Sequence, residues 1–354
     1  MHRFRYFLPS SRQRLCYGGG ILPNMRSSKM ALAQVPCLFG AELASMMRLR
    51  ATRRFDLVHA HFLVPQGIVA ALTASAPLVV SIHGSDLFAL RGRVFDAAIG
   101  QVLARAALVT VNGESAAREV RRRFPRMAGK LRSLPMGVDT RLFRRPRVDE
   151  RRAPASAPLI AFVGRLSEQK GAHVLLDAFA RLDRPRARLV VAGDGPELER
   201  LRALAALRVE LLGPLSPARV AALLREATLL VVPSLEGPLG AEAQGLVAVE
   251  AMVSGCPIVV TRSGGLGALA GEDGPGALAG EDGLGDPSRE VGPRGIAVAP
   301  SDPAALAAAI ARCLDDEEST RARADAAHAF ATARYDWARI GQELLAIYDE
   351  ARRC

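Results

Sequence analysis

Residues 229–260 read LLVVPSLEGPLGAEAQGLVAVEAMVSGCPIVV. Leu229–Pro233 has the pattern of a buried strand, a Gly/Pro loop follows, and a short helix is expected at about Leu246–Ser254. Gly255 stops that helix, Pro257 follows, and Ile258–Val260 begins another strand. Glu242 stands in the loop and Glu250 on the helix, eight positions apart. A strand, a glycine loop and a helix start are how α/β proteins hold a polyanion, through free N–H groups and the helix dipole. Carboxylates repel phosphate but give sugar hydroxyls strong charge-assisted hydrogen bonds. Taken alone, Glu250 also reads as an early-helix carboxylate satisfying the dipole, and Glu242 as solvated loop.

The same alternation runs outward in both directions. Upstream, FDLVHAH, PLVVSIHGSD, ALVTVN and LRSLPMGVD read as strands with helices between them. After the Pro-rich, charged stretch 144–158, LIAFVG, ARLVVAGDG, VELLGPL and TLLVVPS repeat the scheme. Alternating strands and helices imply parallel sheets covered on both faces. The fold class expected is therefore α/β, with two Rossmann-like, doubly wound domains facing across a cleft. Residues 1–150 form the first domain, 151–330 the second, and 331–354 a long amphipathic C-terminal helix containing Trp337. RFRYFL near the N-terminus reads as a short strand, and about Leu32–Arg54 as a basic, partly amphipathic segment. GALAGEDG occurs at 267–274 and again at 276–283, the mark of a surface insertion.

At 354 residues, with 49% hydrophobic and 23% charged, the chain has the composition of a globular protein. No uncharged apolar run reaches the ~18 residues of a membrane span, and the N-terminus lacks a signal-peptide core. The five cysteines show no CxxC spacing, so neither a disulfide framework nor a zinc site is indicated. A reducing, cytoplasmic setting follows as the expectation. Residues 1–153 hold 26 Lys+Arg against 9 Asp+Glu, and the remainder 21 against 27. A basic first half suits an anionic membrane surface or a lipid-linked phosphate. Nucleic acid would also require interleaved aromatics, and only 5% of residues are aromatic, so no nucleic-acid partner is expected.

Chemistry is expected at the C-terminal ends of strands. Arg165 and Lys170 in FVGRLSEQKG are two cations beside a helix start, suited to a diphosphate. His59, His61 and His83, with Asp86, fall at neighbouring strand ends and suggest a polar pocket. They lack convincing acidic or cysteine ligands for a metal, so no metal is expected.

GRLSEQKG, GDGPE, VVPSLEG, Glu242-x(7)-Glu250 and SGCPIV resemble the retaining glycosyltransferases of family 4, and HAH, HGSD and PMGVD match their N-terminal half. The resemblance covers roughly residues 55–345 and is nearest to bacterial enzymes that build exopolysaccharide, lipopolysaccharide or glycolipids. It implies the GT-B fold, with the C-terminal helix crossing back to the first domain. It also implies transfer, with retention, from a nucleotide diphosphate-sugar to a glycan or lipid-linked acceptor without metal or other cofactor; the basic first half is expected to sit against the inner membrane face. By the same resemblance, Arg165 and Lys170 hold the diphosphate, with Gly245, Leu246 and Val247 at the helix start. Glu250 takes the ribose, Glu242 the sugar hydroxyls, and His83 the sugar near its anomeric carbon; His59, His61 and Asp86 line the acceptor side. The family's opening strand and Gly-Gly loop have no counterpart here, so the first domain is expected to be incomplete. The duplication at 267–284 and Ala243 depart from the pattern too. Two rival readings remain: a remnant that binds nucleotide donor without transferring sugar, and a GT-B sugar-nucleotide epimerase. A nicotinamide dehydrogenase lacks its G-x-G-x-x-G.

Overall fold

The computed structural model describes residues 2–17, 21, 24–25, 28–146, 157–237, 241–271 and 293–354. Most of the expected linker and most of the duplicated segment, together with Gly18–Gly20 of the YGGG cluster, lie outside the described residues. The chain forms two units: residues 1–111, 119–132 and 345–354 in the first, and 112–118 and 133–344 in the second.

The first unit holds a sheet of β1 (Val58–His61), β2 (Leu78–Ile82), β3 (Leu108–Val111) and β4 (Leu131–Ser133), side by side in chain order. β1, β2 and β3 run parallel. β2 and β3 are buried at every position, as strands covered on both faces must be. β1 is only partly buried, and among the described residues no strand pairs with its outer edge. RFRYFL, expected as a strand, is not one. Tyr6 turns inward instead and packs with Leu15, Ala31 and Leu38, while its hydroxyl accepts the Cys16 N–H at 3.3 Å. Such a local cluster satisfies the segment without a neighbouring strand. The basic stretch that follows is a helix, Val35–Thr52, packed along Ile68–Thr73. By length and composition alone Lys29–Thr52 is long and apolar enough to cross a membrane, although Glu42, Arg48 and Arg50 interrupt it and no uncharged run in it reaches that length.

Among the described residues, the second unit holds six parallel strands: β5 (Leu159–Val163), β6 (Arg188–Ala192), β7 (Val209–Gly213), β8 (Leu229–Val232), β9 (Ile258–Thr261) and β10 (Ile296–Val298). Their spatial order is β7-β6-β5-β8-β9-β10, the doubly wound 3-2-1-4-5-6 arrangement. Side chains alternate across the sheet with period two. Leu159, Ala161, Leu230 and Val232 therefore join one core, under helices Pro217–Glu226 and Leu246–Ser254. Ile160, Phe162, Leu229 and Val231 join the other, under Ala172–Ala180 and Pro303–Asp315.

The tail is not one long helix as expected but two, Glu317–Tyr335 and Trp337–Arg353. Asp336 adopts an extended conformation between them. The Tyr335 carbonyl is taken by the Val138 N–H at 2.7 Å, and the Asp336 carboxylate accepts the Ala338 N–H at 2.8 Å and the Thr140 hydroxyl. Pairing with residues 138–140 thus outcompetes helix continuation at this point.

Candidate functional site

β5 and β8 are neighbours, and the chain leaves them in opposite directions, to β6 on one side and β9 on the other. A crevice opens at the carboxyl ends of strands at such a switch point. Val163 leads there into Gly164 and Arg165, and Val232 into Pro233 and Ser234. The loops are bonded to each other, Leu235 N–H donating to the Gln169 carbonyl at 2.7 Å. Gly171, at φ +67°, lets them approach this closely: a Cβ there would lie 2.0 Å from the Pro233 carbonyl oxygen. Helices Ala172–Ala180 and Leu246–Ser254 both start here with no side-chain cap, so first-turn N–H groups remain for a ligand.

A cavity of about 320 Å³ lies at this point. Its lining brings together Arg165, Lys170, Glu242, Gly245, Leu246, Val247 and Glu250; His83, also expected at the donor sugar, is not among its lining residues and lies in the first unit. Phe143, Leu215, Pro217, Val220 and Val232 complete the wall and give it an apolar part. Sequence reading missed these; their only signal was position, since Leu215 and Pro217 follow β7 on the same edge of the sheet.

Lys170 donates to the Glu242 carboxylate, and Ser234 Oγ donates to the same oxygen at 3.3 Å. The Glu242 loop is held by its backbone as well. Its carbonyl accepts the Gly265 N–H at 3.0 Å. Gln244, 7% exposed, accepts the Met136 N–H at 2.7 Å and donates to the Met136 carbonyl at 2.9 Å. Both ends of one amide are thereby engaged on one residue, a role the sequence did not announce. Among the described residues Glu250 has no hydrogen bond or ion pair, and burial pushes its carboxyl up to about 7. It is therefore not a satisfied early-helix carboxylate but a desolvated acid facing the cavity.

The other expected residues lie in the first unit, at the ends of β1 and β2. His59 is held between the Tyr348 hydroxyl and Ser81 Oγ, each at 2.7 Å, and Ser81 Oγ meets Thr110 Oγ1 at 2.5 Å. Burial, then the neighbouring His61 and His83, push His59 down to about 4. Its nitrogens are both engaged, so it joins β1 to the last helix. Asp86, 5% exposed, accepts the N–H groups of Leu63 at 2.8 Å and His83 at 3.1 Å; it braces the backbone rather than facing an open surface. His61 Nδ1 meets His83 Nε2 at 3.0 Å. Among the described residues no three His, Cys, Asp or Glu side chains are grouped to hold a metal ion.

Comparison with known proteins matches residues 145–330 to the model "Glycosyl transferases group 1" and residues 2–142 to "Glycosyltransferase Family 4". A D-inositol 3-phosphate glycosyltransferase of Corynebacterium urealyticum is 32% identical over 269 residues, 70% of this chain and 58% of the relative's own length. A glycogen synthase of Mycobacterium tuberculosis is 30% identical over 352 residues, 93% of this chain and 77% of the relative. Among solved structures, sucrose-phosphate synthase from Thermosynechococcus elongatus matches with TM-score 0.71 at 24% identity, covering 90% of this chain and 78% of that one. Anabaena HepE in complex with UDP matches with TM-score 0.69 at 23% identity, covering 86% and 80%. Both share its fold, two parallel-sheet α/β domains of the GT-B type.

Proposed function

The chain belongs to the glycosyltransferases described by the group 1 and family 4 models, and from that membership we propose that it moves a sugar, with retention, from a nucleotide diphosphate-sugar to a glycan or lipid-linked acceptor in polysaccharide or cell-envelope assembly. The observation that carries this reading is the cavity at the β5–β8 switch point. It joins two cations, two carboxylates and an apolar wall, a set that fits a diphosphate, hydroxyls and a base respectively.

In the proposed reaction the bond from the anomeric carbon to the diphosphate oxygen breaks. The acceptor oxygen bonds to the same face of that carbon, and the acceptor's proton passes to the departing phosphate oxygen. Arg165 and Lys170, with the first-turn N–H groups, stabilise the charge that grows on the diphosphate, and we assign that task to them without a metal ion. Glu242 orients the sugar hydroxyls and Glu250 the ribose; His83, in the first unit, contacts the transferred sugar, with His61 on the acceptor side. HepE, solved with UDP, supports the choice of a nucleotide donor. Residues 1–150 are the proposed acceptor side and 151–330 the donor side.

The basic first half supports a cytoplasmic protein held peripherally against anionic lipid rather than nucleic acid. Helix Val35–Thr52, with exposed Met47 and Arg48, is the proposed contact. A second reading, donor binding without transfer, is favoured by the outer edge of β1, with which no strand pairs among the described residues. Assays of the full chain for nucleotide release with and without lipid-linked and glycan acceptors decide between them. Acceptor-dependent release, with the new glycosidic bond keeping the donor's anomeric configuration, supports transfer. Donor binding with no acceptor-dependent release refutes it.

A further inference from the structure

His61 closes β1 and Phe62 follows it. In a continuing strand their side chains would stand on opposite faces, yet both touch the ring of His83. The His61 and His83 rings stack at 5.3 Å and 24°, with Nδ1 and Nε2 3.0 Å apart. Phe62 lies 4.7 Å from the same imidazole, tilted by 48°. The cause is the backbone of Phe62, at φ 74° and ψ 142°. Positive φ is costly for a residue with a side chain, and such strain persists only where surrounding contacts impose it.

Those contacts are present. Phe62 N–H donates to the Ser81 carbonyl at 2.9 Å, and its carbonyl accepts the Gly67 N–H at 3.0 Å. Asp86 ties the next residue, Leu63, to His83 itself by taking an N–H from each. Nitrogens 3.0 Å apart hold one proton between them, since two facing N–H groups would repel. The state of His61 therefore fixes which nitrogen of His83 carries hydrogen, and so whether its other nitrogen donates or accepts.

We propose that His61 and Phe62 are positioning residues that clamp the His83 imidazole in a single orientation and tautomer for sugar transfer, with the left-handed backbone at Phe62 as the device that brings both side chains to one ring. This rests on the reading of His83 as the residue that contacts the transferred sugar.

The test uses the full chain, as wild type and as His61→Ala, His61→Asn, Phe62→Gly and His83→Ala. Steady-state kinetics are measured for each, and ¹⁵N spectra of the labelled imidazoles report the tautomer. His61→Ala lowers kcat at least tenfold with donor KM within about twofold, and replaces the single His83 tautomer by an exchanging mixture. His61→Asn, whose amide can occupy the place of Nδ1, restores most of kcat. Phe62→Gly relieves the strain and keeps Tm at or above wild type, yet lowers kcat, which a merely structural residue would not do. If His83→Ala loses activity while His61→Ala and Phe62→Gly keep both kcat and the wild-type tautomer, the clamp alone is overturned. Unchanged kcat in His83→Ala overturns the reading of His83 and the clamp's purpose with it.

Discussion

Lys170 and Glu242, 72 residues apart in sequence, are directly ion-paired in the cavity. One follows β5 and the other β8, so the pair spans the switch point. In the proposed reading a diphosphate at Lys170 competes with Glu242 for the ammonium, which would free the carboxylate for sugar hydroxyls. Lys170→Met should weaken donor binding by about ten- to a hundredfold, and should change the melting free energy by only about 1 kcal/mol, because the lysine is a third exposed. Calorimetric titration with donor and thermal melts measure the two separately.

Glu250 carries the pH dependence of the donor side. Its folded carboxyl titrates near 7, above the ordinary carboxylate value, because burial disfavours the charge. The folded state therefore holds a proton that the unfolded state has released, and stability falls as pH rises from about 4.5 to about 7. Glu250→Gln removes that cost and should raise stability at pH 8 by about 2–3 kcal/mol. Donor binding should behave oppositely. In the proposed role the Glu250 carboxylate accepts from the ribose, so wild-type affinity should rise with pH through about 7, with a proton released on binding. Glu250→Gln should bind weakly with no such slope, which calorimetry in buffers of different ionisation enthalpy reads directly.

Gln244 is expected to be a fastening of the Glu242 loop. Gln244→Leu leaves the half-buried Met136 N–H and carbonyl without their partners, a loss of about 1 kcal/mol. Chemical denaturation measures this, and donor KM should rise in the same variant because the loop carrying Glu242 loosens.

Gly171→Ala should be more damaging than its size suggests. Alanine at positive φ costs about 1–2 kcal/mol by itself, and its methyl would meet the Pro233 carbonyl oxygen. We expect a lowered Tm and loss of donor binding together; full binding at wild-type Tm would show that the two loops do not need this contact.

Much of this site was legible because strands end where chemistry begins. FVGRLSEQKG and the Glu242–Glu250 spacing placed both halves of the cavity, since period-two burial and glycine stops are local signals. Helix Leu246–Ser254 begins and ends where the sequence put it. Gln244 and Phe143 were not legible, because their roles depend on which distant backbone or cavity wall they meet. Phe62 was hidden for another reason: nothing in HAHF shows that its backbone turns left-handed. Asp336 interrupts an amphipathic pattern that reads as continuous helix, and the contact that interrupts it lies about 200 residues away.

The central claim is that Arg165, Lys170 and Glu250 hold a nucleotide diphosphate-sugar at the β5–β8 switch point. Titration calorimetry of nucleotide diphosphate-sugars against the full chain and against Arg165→Ala, Lys170→Ala and Glu250→Ala tests it most directly. We expect at least one such donor to bind the wild-type chain and each substitution to weaken it tenfold or more, with the fold retained by circular dichroism. Donor binding of unchanged strength in all three variants would contradict the assignment.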